Sequence, residues 1–256
     1  MFSAHKKYFT VLVCTVLTFS TCPPASAGVF NVKPIRLFLS KDTDSVILTI
    51  HNQDTQPLRV QVAGVTWTNT RDGQPELKAT DDLIVFPTLV TINALDEQNI
   101  RIGFSGTPPR DTELTYRVTI DELPSLESQL SKAHTAGLLV RTRITVPVFF
   151  EPDTSVKKAQ VDELSLRRGV AHAIFTNSGN FHVVVRSVEV TGRGAGGAKV
   201  FSKDLNGWYV LAGESRDYQT AIPSHQCTEL RTLSVSVETD AGSFSRNATI
   251  DPAECR

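Results

Sequence analysis

From Phe30 onward the chain is built of short runs rich in Val, Ile, Leu and Thr, each stopped by turn residues, and this restricts the fold more than any other feature. Ser45-Val46-Ile47-Leu48-Thr49-Ile50 stops at His51-Asn52-Gln53-Asp54, Leu58 to Thr68 at Arg71-Asp72-Gly73, and Leu83 to Phe86 at Pro87. Asn99 to Phe104 runs out before Gly106 and Pro108-Pro109, and Tyr116 to Leu123 ends at Pro124. β-Branched and aromatic residues suit a pleated, half-buried surface, whereas Gly, Pro, Asn and Asp supply the backbone shapes that turns need. No sustained helical periodicity competes, and Leu126 to Ala133 reads as a loop. A second series begins near Val161: Val170 to Thr176, Phe181 to Thr191, Trp208 to Leu211, Ser215 to Ala221 and Leu233 to Glu238. Turns at Asn177-Ser178-Gly179-Asn180 and at Gly192 to Gly197 punctuate it. Strands at this spacing predict an all-β sandwich architecture.

Residues 1–27 have the form of a cleaved secretory signal. Lys6 and Lys7 precede an apolar stretch from Tyr8 to about Phe19, followed by Pro23-Pro24 and the Ala25-Ser26-Ala27 cleavage signature. The stretch is shorter than the roughly 20 residues a membrane span requires, and Pro-Pro interrupts it. No later segment is apolar enough to span a membrane, so no direct membrane insertion is expected. Residues 28–256 suit two domains of roughly 100 residues. Glu151-Pro152-Asp153-Thr154 reads as the linker, giving domains at 28–152 and 153–256. The formal net charge is −1, and loss of Lys6 and Lys7 makes the remainder slightly more acidic. That balance argues against a nucleic-acid partner, whose phosphates demand a basic surface. Cys14 and Cys22 leave with the signal, while Cys227 and Cys255 stay. An even pair in an exported chain reads as a disulfide, with two free thiols as the alternative.

Catalytic and ligand motifs are wanting. Gly192 to Gly197 lacks the following helix and the Lys-Ser/Thr of a phosphate loop, so it reads as a hairpin. His51, His134, His172 and His182 have no metal-ligand spacing, and no metal or cofactor is expected. The acidic pairs Asp81-Asp82 and Asp121-Glu122 are strand neighbours, which point to opposite faces and make poor acid–base couples. The chain does not read as an enzyme.

Two features point to binding instead. Leu138 to Phe150 runs for thirteen residues without a turn signal, with Leu138, Val140, Thr142, Ile144, Val146 and Val148 on one face and Leu139, Arg141, Arg143 and Thr145 on the other. Pro147 lacks an amide hydrogen and suggests an edge position. The second feature is arginine. Arg36 follows Val32-x-Pro34-x, and Arg117 follows Tyr116 inside a strand. If inward-facing, Arg117 requires a partner. Either it pairs internally, with Glu122 or a neighbour, or it belongs to an anion site at the domain junction, where a guanidinium fork matches a carboxylate.

Taken in order, these segments resemble the periplasmic chaperones of chaperone–usher pilus assembly. The resemblance rests on Val32-Lys33-Pro34-Ile35-Arg36, Leu48 to Asn52, Pro57 to Val62 with Trp67, Asp82 to Pro87 and Asn99 to Gly103. It continues through Tyr116 to Pro124, Val146 to Phe149, Asn177 to Asn180 and Trp208 to Gly213. It implies two immunoglobulin-like β-sandwich domains joined at an angle, a periplasmic location, and pilus subunits and an outer-membrane usher as partners. It implies that the long G strand, residues 138–150, is lent to a subunit that lacks one strand. Leu138, Val140, Thr142 and Ile144 are the donor residues on this reading, since the other face carries arginines. The family's two basic anchors hold the subunit's C-terminal carboxylate. Arg36 matches the first, but Pro147 stands where the second is usually Lys. In this the chain resembles the divergent branch that serves spore-coat-U-like subunits, where an Arg of the Tyr-Arg strand takes the role, and Arg117 fits. The matching loop contains a cis proline, which here is Pro87. The rival expectation is a structural pilus subunit or adhesin. It fits less well, because the expected mature start runs almost directly into Val32-x-Pro34-x-Arg36.

Overall fold

The computed structural model describes residues 29–107, 111–124 and 140–255. The expected signal at 1–27 and the loop at 126–133 lie outside the described residues. The first series folds into β1 (Phe30–Lys33), β2 (Leu37–Leu39), β3 (Ser45–Asn52), β4 (Leu58–Asn69) and β5 (Pro75–Ala79), then β6 (Leu83–Phe86), β7 (Leu89–Ile92), β8 (Glu97–Phe104), β9 (Leu114–Glu122) and β10 (Arg143–Phe150). One sheet has the order β1-β3-β8-β6, and the other β2-β10-β9-β4-β5 with β7 also paired to β4. The period-two apolar pattern closes them face to face. Leu48 and Ile50 of β3 and Ile100 and Ile102 of β8 meet Val60 and Val62 of β4, Val118 and Ile120 of β9, and Val146 and Val148 of β10, all fully buried. Each such side chain is worth about 1.5–3 kcal/mol on leaving water.

The second series forms β11 (Ala159–Arg167), β12 (Val170–Asn177), β13 (Val183–Gly194), β14 (Lys199–Asn206), β15 (Tyr209–Val210) and β16 (Ser215–Ala221), followed by the short helix α1 (Ser224–Cys227), β17 (Leu230–Thr239) and β18 (Gly242–Thr249). The sheet β11-β12-β16 packs on β14-β13-β17-β18, with β15 on the flank of β13. A separate core of Phe175, Val188, Val190, Leu233, Val235 and Val237 fills the space between. The protein is therefore an all-β chain of two β-sandwiches. Cys227, fully buried at the end of α1, is bonded to Cys255, which ties the helix to the last turn. Among the described residues no helix is long and apolar enough to cross a membrane. The Phe86–Pro87 peptide is cis, as the resemblance implies, and so is Lys33–Pro34, which the sequence reading did not anticipate.

One element differs from expectation. The strand expected from Leu138 to Phe150 begins, among the described residues, at Arg143. Leu138 lies outside the described residues, and Val140 to Thr142 are not in strand pairing. The reason is the partner. β10 pairs antiparallel with β9 from Arg143↔Asp121 to Phe150↔Leu114, and β9 ends at Glu122 ahead of Leu123-Pro124. The last contacts are reciprocal: the Glu122 amide donates to the Thr142 carbonyl at 3.0 Å, and the Thr142 amide donates to the Glu122 carboxylate at 3.0 Å.

Candidate functional site: the arginine row and the free edge of the tenth strand

Strand register places the two arginines. In β9, Tyr116, Val118 and Ile120 point into the core, so Arg117 points to the opposite face. Across the ladder Arg117 is paired with Pro147, and on its other side with Val65. β2 runs parallel to β10 with Leu37 level with Val148, and Arg36 is the residue immediately before β2, in a bend at the end of that ladder. Pro147 and Arg117 thus form one row on adjacent strands, and Arg36 stands just ahead of β2 on the far side of β10. Directly opposed residues in a sheet have Cβ atoms about 4.5–5.5 Å apart. A cation carried by Arg117 therefore lies one strand over from the position that Pro147 cannot charge.

Pro147 fits this edge for a backbone reason. The Glu151 amide donates to the Leu39 carbonyl at 2.8 Å, away from β9. Amides alternate along a strand, so an amide at position 147 would point the same way. Proline there loses no bond to β9. β2 covers β10 only from Val148 to Phe150. Along Arg143 to Pro147 the side of β10 remote from β9 has no ladder partner among the described residues.

The next row on the same face is aromatic, exposed at Phe38 and covered at Phe149. Phe38 stacks on Phe149 with ring centroids 5.6 Å apart, and Phe149 is level with Thr115, whose Oγ1 donates to the Trp67 carbonyl at 2.6 Å. Trp67 and Phe149 are completely buried against Tyr209 and Leu211 of the second sandwich. His182 stacks on Phe149 at 4.1 Å, and Trp67 meets Tyr209 edge-on at 5.6 Å. The arginine row thus marks where the second sandwich stops covering the sheet.

Arg117 is held by that aromatic cluster. Its guanidinium carbon lies 4.0 Å over the Trp67 ring, a cation–π contact. Its Nε is buried with no hydrogen-bond partner among the described residues, and burial pushes its pKa down. An arginine stays charged regardless. Of the two alternatives left open for Arg117, the internal pair with Glu122 is not formed, and the side chain points away from the core. Positions 117 and 122 have opposite parity on β9, and Glu122 instead receives the Thr142 amide, while Asp121 pairs with Arg143. Arg36 is exposed.

The proposed donor residues divide along the strand. Val146, Val148 and Phe150 fill the first core, and Ile144, on the same face, is only partly buried against it. Thr142 is half-buried and Val140 is exposed. One face thus passes from core to surface between Val146 and Val140.

Sequence reasoning missed the polar groups that fix the junction. The Glu113 carboxylate, fully buried, receives the His182 amide at 2.9 Å and lies 2.8 Å from His182 Nδ1. Glu214 receives the Asn69 amide at 2.8 Å and the Asn69 side-chain nitrogen at 2.9 Å, and Asn69 in turn accepts from Trp67 Nε1 at 2.9 Å. No local signal marks these pairs, whose members stand 69 and 145 residues apart.

Residues 29–155 match the family of pili and flagellar-assembly chaperones, PapD N-terminal domain. The chain belongs to the pilus-assembly chaperone family. That family assembles pili and performs no catalysis, and this chaperone is not an enzyme. No curated protein sequence matches the chain. Solved structures match its fold across both sandwiches. The CsuC–CsuE chaperone–tip adhesion subunit pre-assembly complex from archaic chaperone-usher Csu pili of Acinetobacter baumannii aligns at TM-score 0.61 and 14% identity, over 86% of this chain and 98% of that one. The Salmonella enterica SafA pilin–SafB chaperone complex aligns at 0.54 and 18%, over 88% and 98%. The Pseudomonas aeruginosa CupB2 chaperone aligns at 0.52 and 15%, over 86% and 100%.

Proposed function

We propose that this chaperone works in the periplasm, captures pilus subunits by donor-strand complementation and delivers them to an outer-membrane usher. The observation that carries the reading is the edge of β10 that has no ladder partner among the described residues, lying beside Pro147 and Arg117 with Arg36 just ahead of β2. An open edge offers backbone hydrogen bonds to an added strand, and alternate side chains supply specificity. Val140, Thr142 and Ile144, with Leu138 ahead of them, are the donor set. Arg36 and Arg117 are the anchors for the subunit's C-terminal carboxylate. Arg117 replaces, from the neighbouring strand, the lysine that position 147 lacks. That two of the similar structures are complexes with an adhesion subunit and a pilin supports the choice of partner. The signal at 1–27 supports the location, and the linker after Glu151 supports division into domains 28–152 and 153–256.

Arg36→Ala and Arg117→Ala test the reading. Each variant, co-expressed with its pilus subunit, is expected to stay folded by circular dichroism and to lose co-purifying subunit. Removing one member of a close charge pair costs about 2–5 kcal/mol. Undiminished capture by both variants would refute the anchor assignment.

A further inference from the structure

The second sandwich brings a third polar group to the arginine row. Tyr209 of β15 is almost buried, with its ring wedged against Trp67 at 5.6 Å and Phe149 at 5.5 Å. Trp67 is the ring on which Arg117 lies. Among the described residues no group of the protein hydrogen-bonds to the phenol. Burial raises the pKa of the phenol, and the Arg36 and Arg117 guanidiniums both act in the opposite direction, Arg36 more strongly. Arg117 and Tyr209 thus share the Trp67 ring, the guanidinium over its face and the phenol ring edge-on to it, and the phenol, its pKa raised, stays protonated at neutral pH and is a donor. The acids near it are engaged elsewhere: Glu113 holds His182, and Asp240 holds Lys157 and the Val184 amide. Arg117 and the phenol thus meet on one ring, Arg36 lies just ahead of the neighbouring strand β2, and among the described residues no carboxylate pairs with any of the three. The complement of such a set of donors is a carboxylate.

Building on the anchor assignment above, we infer that Tyr209 is a third ligand of the C-terminal carboxylate, donating its phenolic hydrogen beside Arg36 and Arg117. The site is then made by both sandwiches: Arg36 and Arg117 come from the first, and Tyr209 from the second. This gives the second sandwich a direct part in subunit binding, and makes the relative seating of the two sandwiches a determinant of affinity. A neutral donor also differs from a third cation. It adds a directed bond without adding repulsion between like charges already crowded at the junction.

The test uses the full chain and two fluorescein-labelled peptides. Each carries alternating valines, one ending in a free carboxylate and the other in a carboxamide. Fluorescence polarisation gives the carboxylate-over-amide preference. Tyr209→Phe keeps the ring against Trp67 and Phe149 and removes only the hydroxyl. It is expected to lose about tenfold of that preference, which is about 1.4 kcal/mol, with amide binding unchanged. Arg36→Ala is expected to lose more. A wild-type preference that Tyr209→Phe leaves intact would overturn the role of Tyr209 while sparing the arginines. Absence of any carboxylate preference in the wild type would overturn both the anchors and Tyr209.

Discussion

Glu113 and His182 show how much of the junction rests on single side chains. The carboxylate is fully buried between the sandwiches and accepts from both the amide and the ring nitrogen of His182. Leaving those groups without an acceptor costs about 1–3 kcal/mol, because a buried polar group has given up water for one partner. Glu113→Ala is therefore expected to lower the unfolding free energy by an amount in that range, read as a lower urea midpoint at unchanged m-value. Glu113→Gln, whose amide oxygen still accepts, is expected to lose less. Equal losses in the two variants would show that carboxylate charge, rather than the acceptor, holds His182. At this scale the sequence is legible only where a residue is out of place. Arg117 is conspicuous inside an apolar strand, and alternation with Tyr116, Val118 and Ile120 turns it away from the core, but its place opposite Pro147 is set by the register, which no local pattern encodes. Asn52 and Asn177 look like ordinary turn residues. Each is fully buried, with its side-chain nitrogen donating to three backbone carbonyls: those of Gln56, Ile92 and Asn93, and those of Phe181, Val210 and Leu211.

At the scale of an element, β10 is one strand with two environments on one face. Ser45–Asn52, Leu83–Phe86 and Ser215–Ala221 could be read almost to the residue from apolar runs and their stops. The start of β10 could not, because it depends on where β9 gives out rather than on β10's own composition. The passage from buried Val146 to exposed Val140 yields a graded prediction. Val146→Ser removes a side chain from the first core and is expected to lower the melting temperature sharply, because large-to-small core changes add a cavity to the lost transfer energy. Val140→Ser is expected to leave melting unchanged and to weaken subunit capture. Ile144→Ser, partly buried, is expected to do some of each. Circular dichroism melting beside co-purification reads all three. If Val140→Ser captures subunit as well as wild type does, the donor face is the opposite one, which bears Arg141 and Arg143.

Across the whole molecule, two cores meet through one aromatic cluster and two clamped carboxylates, and the question is whether the sandwiches unfold as one body. The sequence makes the division visible through its linker and its two strand series. It conceals the coupling, because Trp67 with Tyr209 and Asn69 with Glu214 meet only after both halves have folded. The disulfide separates these possibilities, since Cys227 and Cys255 both belong to the second sandwich and are 28 residues apart. In the chain-entropy model, opening a loop of that size removes about 3–4 kcal/mol by freeing the unfolded chain. Reduction acts directly on the second core alone. If the junction is weaker than either core, calorimetry of the reduced protein should show the second transition moving to lower temperature, with the first nearly in place. The buried Trp67, Phe149, Tyr209 and Leu211 argue for the other outcome. Exposing that cluster when the second sandwich unfolds would strip the first of the cover over Phe149 and of the ring against which Trp67 lies. The expected result is therefore that reduction lowers both transitions together, and that Tyr209→Ala, which breaks the cluster, separates them. A reduced protein whose first transition stays fixed while the second falls would show that the sandwiches are thermodynamically independent. Unchanged melting on reduction would show that the two cysteines are not bonded in the folded protein.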